Sequence, residues 1–176
     1  MPESHRRELD GFLTECAAIA PDFRWTPISN LHLTIRFVGS VDQQVVEAIA
    51  DRLVAQRLGG FELELGDLGT FKRGRLVRVV WLGLRSGGDT ATALFAQVER
   101  ECVAAGLEAE QRAYRAHATL ARSRNRDGSE LPPLPVVPQL GPWRASELVL
   151  YSSHLTKSGA IYEPMRTVPL AGQTHP

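Results

Sequence analysis

A chain of 176 residues, 43% hydrophobic and 23% charged, has the composition of a folded domain, which excludes a disordered or fibrous protein, and it can bury a core without staples. Basic and acidic residues number 20 each, which excludes attraction to nucleic acid by net charge alone. No apolar run approaches the ~18 residues of a membrane span, and the opening MPESHRRELDGF lacks a signal peptide's apolar core, so a cytoplasmic protein without membrane association is expected.

Residues 2–20 place Leu9, Phe12, Leu13, Cys16 and Ala17 at helical spacing, and Pro21 and Pro27 then break the chain. Residues 30–39 alternate Leu31, Leu33, Ile35 and Phe37 against His32, Thr34 and Arg36, the pattern of a strand. A second amphipathic helix over 41–58 presents Val45, Val46, Ile49, Leu53 and Val54 and ends at Gly59-Gly60. FELELG, 61–66, alternates as a strand. LVRVVWLGL, 76–84, is apolar enough to be buried on both faces. A third helix over 90–105 carries Leu94, Phe95, Val98, Cys102 and Val103 on one side and is capped by Gly106.

A short strand at 107–111 and the strand around His117 come next. Residues 123–142 form a long proline-rich segment, read as a rigid surface connection rather than a PxxP ligand. Residues 146–153 and 161–170 read as a closing hairpin that turns at KSGA, and AGQTHP as a frayed tail. Cys16 and Cys102 lie far apart, outside any C-x-x-C or metal-ligand spacing, and read as small buried side chains. Short connections between strands predict an α+β fold with largely antiparallel sheet, and a helix after each early strand group hints at two similar halves.

Charge is neutral overall but uneven. Residues 72–78 hold Lys72, Arg73, Arg75 and Arg78 with no acid, and residues 112–126 hold five arginines with no acid. Either run suits a local anion site or a solvated loop.

The chemistry-bearing pattern is a repeated tetrapeptide. HLTI at 32–35 is followed 85 residues later by HATL at 117–120, both His-x-Thr-x with x apolar. On a strand, histidine and threonine two apart project from one face while the x residues anchor the other. A lone strand histidine is most often structural; two in matching contexts suit acid–base work near neutral pH. One neutral imidazole takes a proton from water, and one protonated imidazole gives a proton to a leaving oxygen. The hydroxyls hydrogen-bond phosphoryl oxygens and nearby arginines offset the charge that builds on phosphorus. In-line displacement at a phosphodiester uses all these parts and requires no metal.

Several segments resemble the two-histidine (2H) phosphoesterases, and within them the LigT-like RNA 2′,3′-cyclic phosphodiesterases, once named 2′-5′ RNA ligases. They are RWTPISNLHLTIRFVG (24–39), LGTFKRGRLVRVVWLGL (68–84), AHATLAR (116–122) and ELVLYSSHLTKSGAIYEPM (147–165). The resemblance covers roughly residues 2–170 and implies a single bilobal α+β domain over 1–176. Two antiparallel-sheet lobes flanked by helices would each present one motif to a central cleft. It implies hydrolysis of 2′,3′-cyclic phosphates on RNA 3′ ends or nucleotides to 2′-phosphomonoesters, without a metal or other cofactor. His32 matches the proton donor to the 3′ oxygen, and His117 the base that activates water. Thr34 and Thr119 match the phosphate-binding hydroxyls, and Arg122 matches an arginine that helps hold the phosphate. Strict alternation puts Arg122 on the face opposite His117, so that role requires a bend or strand end. A monomer is expected.

The sequence departs from the family pattern twice. Ala116 stands where a proline is usual. The apolar strand that usually precedes the first helix is missing, which implies a late start or a sheet lacking one strand, with an exposed edge. A third copy, HLTK at 154–157, breaks the apolar fourth position and falls in the closing hairpin, so His154 reads as a bystander. His5 and His175 read as solvent-exposed. Three other readings compete: 2′-5′ RNA ligation by the same histidines in reverse; an RNA-binding module with relic histidines, stacking bases on Trp25, Phe71 or Tyr151; and a metallohydrolase using His32, His117 and His154. The last lacks a carboxylate or cysteine at ligand-like spacing.

Overall fold

The computed structural model describes residues 1–156 and 159–171, the side chains of 155, 156, 159 and 160 excepted. The chain divides into two compact units. The first comprises Met1–Thr34, Leu63–Ser86 and Ala116–Trp143, and the second Ile35–Glu62, Gly87–Arg115 and Arg144–Pro176.

The first unit opens with helix α1 (Glu3–Ile19), whose Leu9, Phe12, Leu13 and Cys16 form one buried stripe. Strands β1 (Phe23–Trp25), β2 (Phe61–Arg73), β3 (Leu76–Ser86), β4 (Ala118–Ser123) and β5 (Trp143–Ala145) make a five-stranded sheet of order β1-β4-β3-β2-β5. The pairings β1–β4, β4–β3 and β3–β2 are antiparallel. The α1 stripe packs with Phe23, Leu65, Val77, Val80, Leu82, Ala118, Leu120 and Ala121 of the sheet. β4 is an inner strand with a neighbour on each side, which is why ATLA is nearly all apolar.

The second unit holds α2 (Gln43–Ala55), α3 (Gly88–Ala104) and the antiparallel hairpin of β6 (Glu147–Thr156) and β7 (Gly159–Pro169). α2 buries Val46, Ile49, Ala50 and Leu53, and α3 buries Ala91, Leu94, Val98 and Cys102, each a helical stripe. Among the described residues no helix is long and apolar enough to cross a membrane.

The structure departs from the sequence expectation at several elements. Residues 31–39 form no strand; only Leu33 bridges, to Ala118, because β1 already occupies that edge of β4 over 121–123. Residues 107–111 are irregular, since side chains satisfy their backbone: Arg36 donates to the Glu108 carbonyl, and the Glu110 N–H donates to Glu99. The 123–142 segment is more than a surface connection. Leu140 is 3% exposed within the core, and Leu131, Leu134 and Val137 pack against it. Finally, α2 stops before Gly59, and Arg57 takes the left-handed φ of 50° that ends it.

Candidate active site

The site is built on β4. Thr26 donates its N–H to the Leu120 carbonyl just beyond β1, and Pro27 then leads into a single 3-10 turn, Ile28–Asn30. That turn returns the chain to the same edge of β4, where Leu33 forms an antiparallel bridge with Ala118. The triplets His32–Thr34 and His117–Thr119 therefore both belong to the first unit. The reason is the bridge itself, which stitches residues 31–34 to the sheet.

Antiparallel register around Leu33–Ala118 sets His32 across from Thr119 and Thr34 across from His117. Leu33 and Ala118 take the core side, with Ala118 3% exposed, so the histidines and threonines share the other face. All four are half-buried. Each imidazole faces a hydroxyl, about 4.5–5.5 Å between β-carbons, and the two histidines lie on the diagonal at about 7–8 Å.

His32 is held from below. Its Nδ1 lies 2.7 Å from the carbonyl oxygen of Asn30, and a carbonyl only accepts, so Nδ1 carries a proton and Nε2 is the nitrogen for exchange. His117 is held by ring edges: Phe71 at 5.3 Å and 89°, Trp81 at 5.9 Å and 62°. Trp81 lies flat over Gly69, where a β-carbon would overlap its ring. Only glycine permits that approach.

Arg122 reaches the same face through a bulge. Val79 pairs with Arg122 and Val80 with Ala121, but Trp81 pairs with Thr119. One step on β3 spans two on β4, leaving Leu120 as the extra residue. On β3, Val79 and Trp81 share a face, so Arg122 and Thr119 share it too. Leu120 remains fully buried.

The family model for LigT-like phosphoesterases matches this chain twice, over residues 1–81 and 82–162, with HLTI in the first match and HATL in the second. The chain belongs to the LigT-like phosphoesterases. It is similar to the RNA 2′,3′-cyclic phosphodiesterase of Aeropyrum pernix, 33% identical over 81% of this chain and 83% of the relative. The RNA 2′,3′-cyclic phosphodiesterase of Methanothermobacter thermautotrophicus is 35% identical over 80% of this chain and 79% of its own. The crystal structure of Escherichia coli LigT complexed with 3′-AMP shares the fold, with a TM-score of 0.74 and 27% identity over 97% of this chain and 93% of that one. The α+β 2H phosphoesterase fold expected from the sequence is thus the observed one, and the chain is an enzyme of this family.

In this LigT-like phosphoesterase the remaining histidines lie elsewhere. His154 is an exposed residue of β6 in the second unit, its Nε2 3.1 Å from the Ser152 hydroxyl. His5 is not solvent-exposed as expected; its ring packs edge-on to Trp143 at 5.4 Å. His175 lies outside the described residues, as do Lys157 and Ser158 of the expected turn. Trp25 is core, its Nε1 donating to the Ala20 carbonyl at 3.1 Å. Tyr151 sits on β6 against Tyr162, and Phe71 borders His117. Both cysteines are buried, and burial pushes the Cys16 thiol up to about 11.

Among the described residues no group of three or more His, Cys, Asp or Glu is arranged to hold a metal ion. An open hollow between 36–42 and 105–112 contains neither tetrapeptide. Three parts of the site escaped the sequence: Trp81, Gly69 and the Asn30 carbonyl. The signal for the first two was a glycine and a tryptophan on adjacent strands, unreadable without register; a backbone carbonyl has none.

Proposed function

We propose that this chain is a metal-independent RNA 2′,3′-cyclic phosphodiesterase that works by two-histidine acid–base catalysis. Its substrates are RNA 3′ ends or nucleotides bearing a 2′,3′-cyclic phosphate, and its product is the 2′-phosphomonoester. It acts as a cytoplasmic monomer, as one bilobal domain. His117 takes a proton from water as the water oxygen attacks phosphorus. The bond from phosphorus to the 3′ oxygen breaks in line, and His32 gives that oxygen its proton. Thr34 and Thr119 donate to the non-bridging oxygens, and Arg122 offsets the charge that builds on them. Every proton has a donor and an acceptor on the protein, so no metal is needed to balance the step.

The observation that carries this reading is the Leu33–Ala118 bridge, whose antiparallel register puts His32 opposite Thr119 and Thr34 opposite His117. The names of the relatives support the substrate. The test is product analysis on an RNA ending in a 2′,3′-cyclic phosphate, in the presence of EDTA. A 2′-phosphate end is expected. A 3′-phosphate end would reverse the leaving group, activity lost to EDTA and restored by zinc would overturn metal independence, and binding without turnover would favour an RNA-binding module.

A further inference from the structure

β1 and β4 bring two arginines together. Arg24 and Arg122 stand directly opposite in antiparallel register, and both are exposed. Opposed β-carbons on adjacent strands are about 4.5–5.5 Å apart, and like charges at that spacing repel. Among the described residues neither side chain has a hydrogen bond or ion pair, whereas Arg36, Arg52, Arg73, Arg85, Arg112 and Arg166 each meet a carboxylate. The strand cannot turn Arg24 away. Phe23 on one side is 1% exposed, and Trp25 on the other is packed on the core and tied to the Ala20 carbonyl. A sheet accommodates such a pair when an anion lies over it.

The register says which anion. The bulge at Leu120 puts Arg122, and therefore Arg24, on the face that carries Thr119 and His117. Phe71, Val79, Arg122 and Arg24 form one continuous cross-strand row on that face. The row lies two to three residues along β4 from Thr119, roughly 7–10 Å at a strand's rise. That is about the span from one phosphate to the next on a single strand. A reacting phosphate between His32 and His117 leaves Arg24 beside its neighbour.

We infer that Arg24 binds the phosphodiester on the 5′ side of the terminal cyclic nucleotide, so that this site selects the end of a polynucleotide over a mononucleoside cyclic phosphate. The inference rests on the function proposed above. The chemistry recognised is a phosphate monoanion held by a guanidinium fork, with Arg122 turned to the reacting group.

The test compares kcat/KM on a nucleoside 2′,3′-cyclic phosphate, which has no 5′ phosphate, with that on a short oligoribonucleotide ending in the same group. Wild type and Arg24→Gln are measured on both, with the melting temperature of each. Arg24→Gln is expected to lose at least about tenfold more on the oligonucleotide than on the mononucleoside, through KM, since one charge-assisted contact is removed. The slope of log KM against log salt should fall by about 0.7, the value for one phosphate contact on a single strand. Arg24→Lys should recover part of the loss. Equal losses on both substrates, or none on either, would overturn the role of Arg24 and leave the proposed function standing. Failure of the wild type on both substrates would overturn the two together.

Discussion

Leu33 and Ala118 face each other across one antiparallel bridge, and this apolar pair sets the relation of the two imidazoles that flank it. Ala118 is 3% exposed, so nothing larger enters without moving the bridge. Ala118→Leu should cost about 1–3 kcal/mol by overpacking. It should also lower kcat up to about 10²-fold by displacing both histidines, although no polar group is removed. Thermal unfolding and steady-state kinetics on one preparation check both effects. Full activity with lowered stability would show that the bridge does not position the site.

The three His-x-Thr copies should separate under mutation. His32→Ala and His117→Ala should each lose at least about 10²-fold in kcat, because each removes a proton-transfer step. His154 is exposed on β6 in the other unit, and His154→Ala should stay within about twofold of wild type. Single-turnover rates on a nucleoside cyclic phosphate decide the matter. Comparable losses at all three positions would overturn the assignment.

Gly69 is where the packing beneath His117 is most open to test. A β-carbon there would run into the Trp81 ring, which itself meets the His117 ring at 5.9 Å between centroids. Gly69→Ala should destabilise by about 1–3 kcal/mol and lower kcat as Trp81 shifts. Gly39→Ala is the control. Its β-carbon would meet nothing within 4 Å, and its φ of +80° makes the substitution strained for a backbone reason alone. If Gly69→Ala leaves kcat intact, Trp81 does not orient the ring.

Cys16 predicts a pH effect on stability. Burial, and secondarily Glu15, raises its thiol from 9.0 to about 11. Below pH 9 both folded and unfolded chains keep the proton, so the contribution is fully present. Between pH 9 and 11 the unfolded chain releases it first, and stability falls as pH rises. Denaturant midpoints at pH 8 and 10.5 should show a shallower decline in Cys16→Ala than in wild type. In native protein at pH 8 neither buried cysteine should react with a thiol reagent, and both should after unfolding.

Much of this enzyme is periodic and local, and that part was legible in its sequence. The stripes of α1, α2 and α3 are helical repeats of apolar residues, and the closing hairpin alternates as strands do. The shared face of His32 and Thr34, and of His117 and Thr119, follows from a two-residue period. Cross-strand register is a different quantity, because residues far apart in the chain decide it. β1 is three residues between two prolines, too short to show alternation, yet it takes the edge of β4 that residues 31–39 would otherwise have filled. The bulge at Leu120 turns Arg122 from the wrong face to the right one, and nothing in HATLAR marks it. Sequence alone determined that two imidazole–hydroxyl devices exist. Tertiary pairing, which fixes positions 85 residues apart through one bridge and one extra residue, decided that they meet and that Arg24 stands beside Arg122.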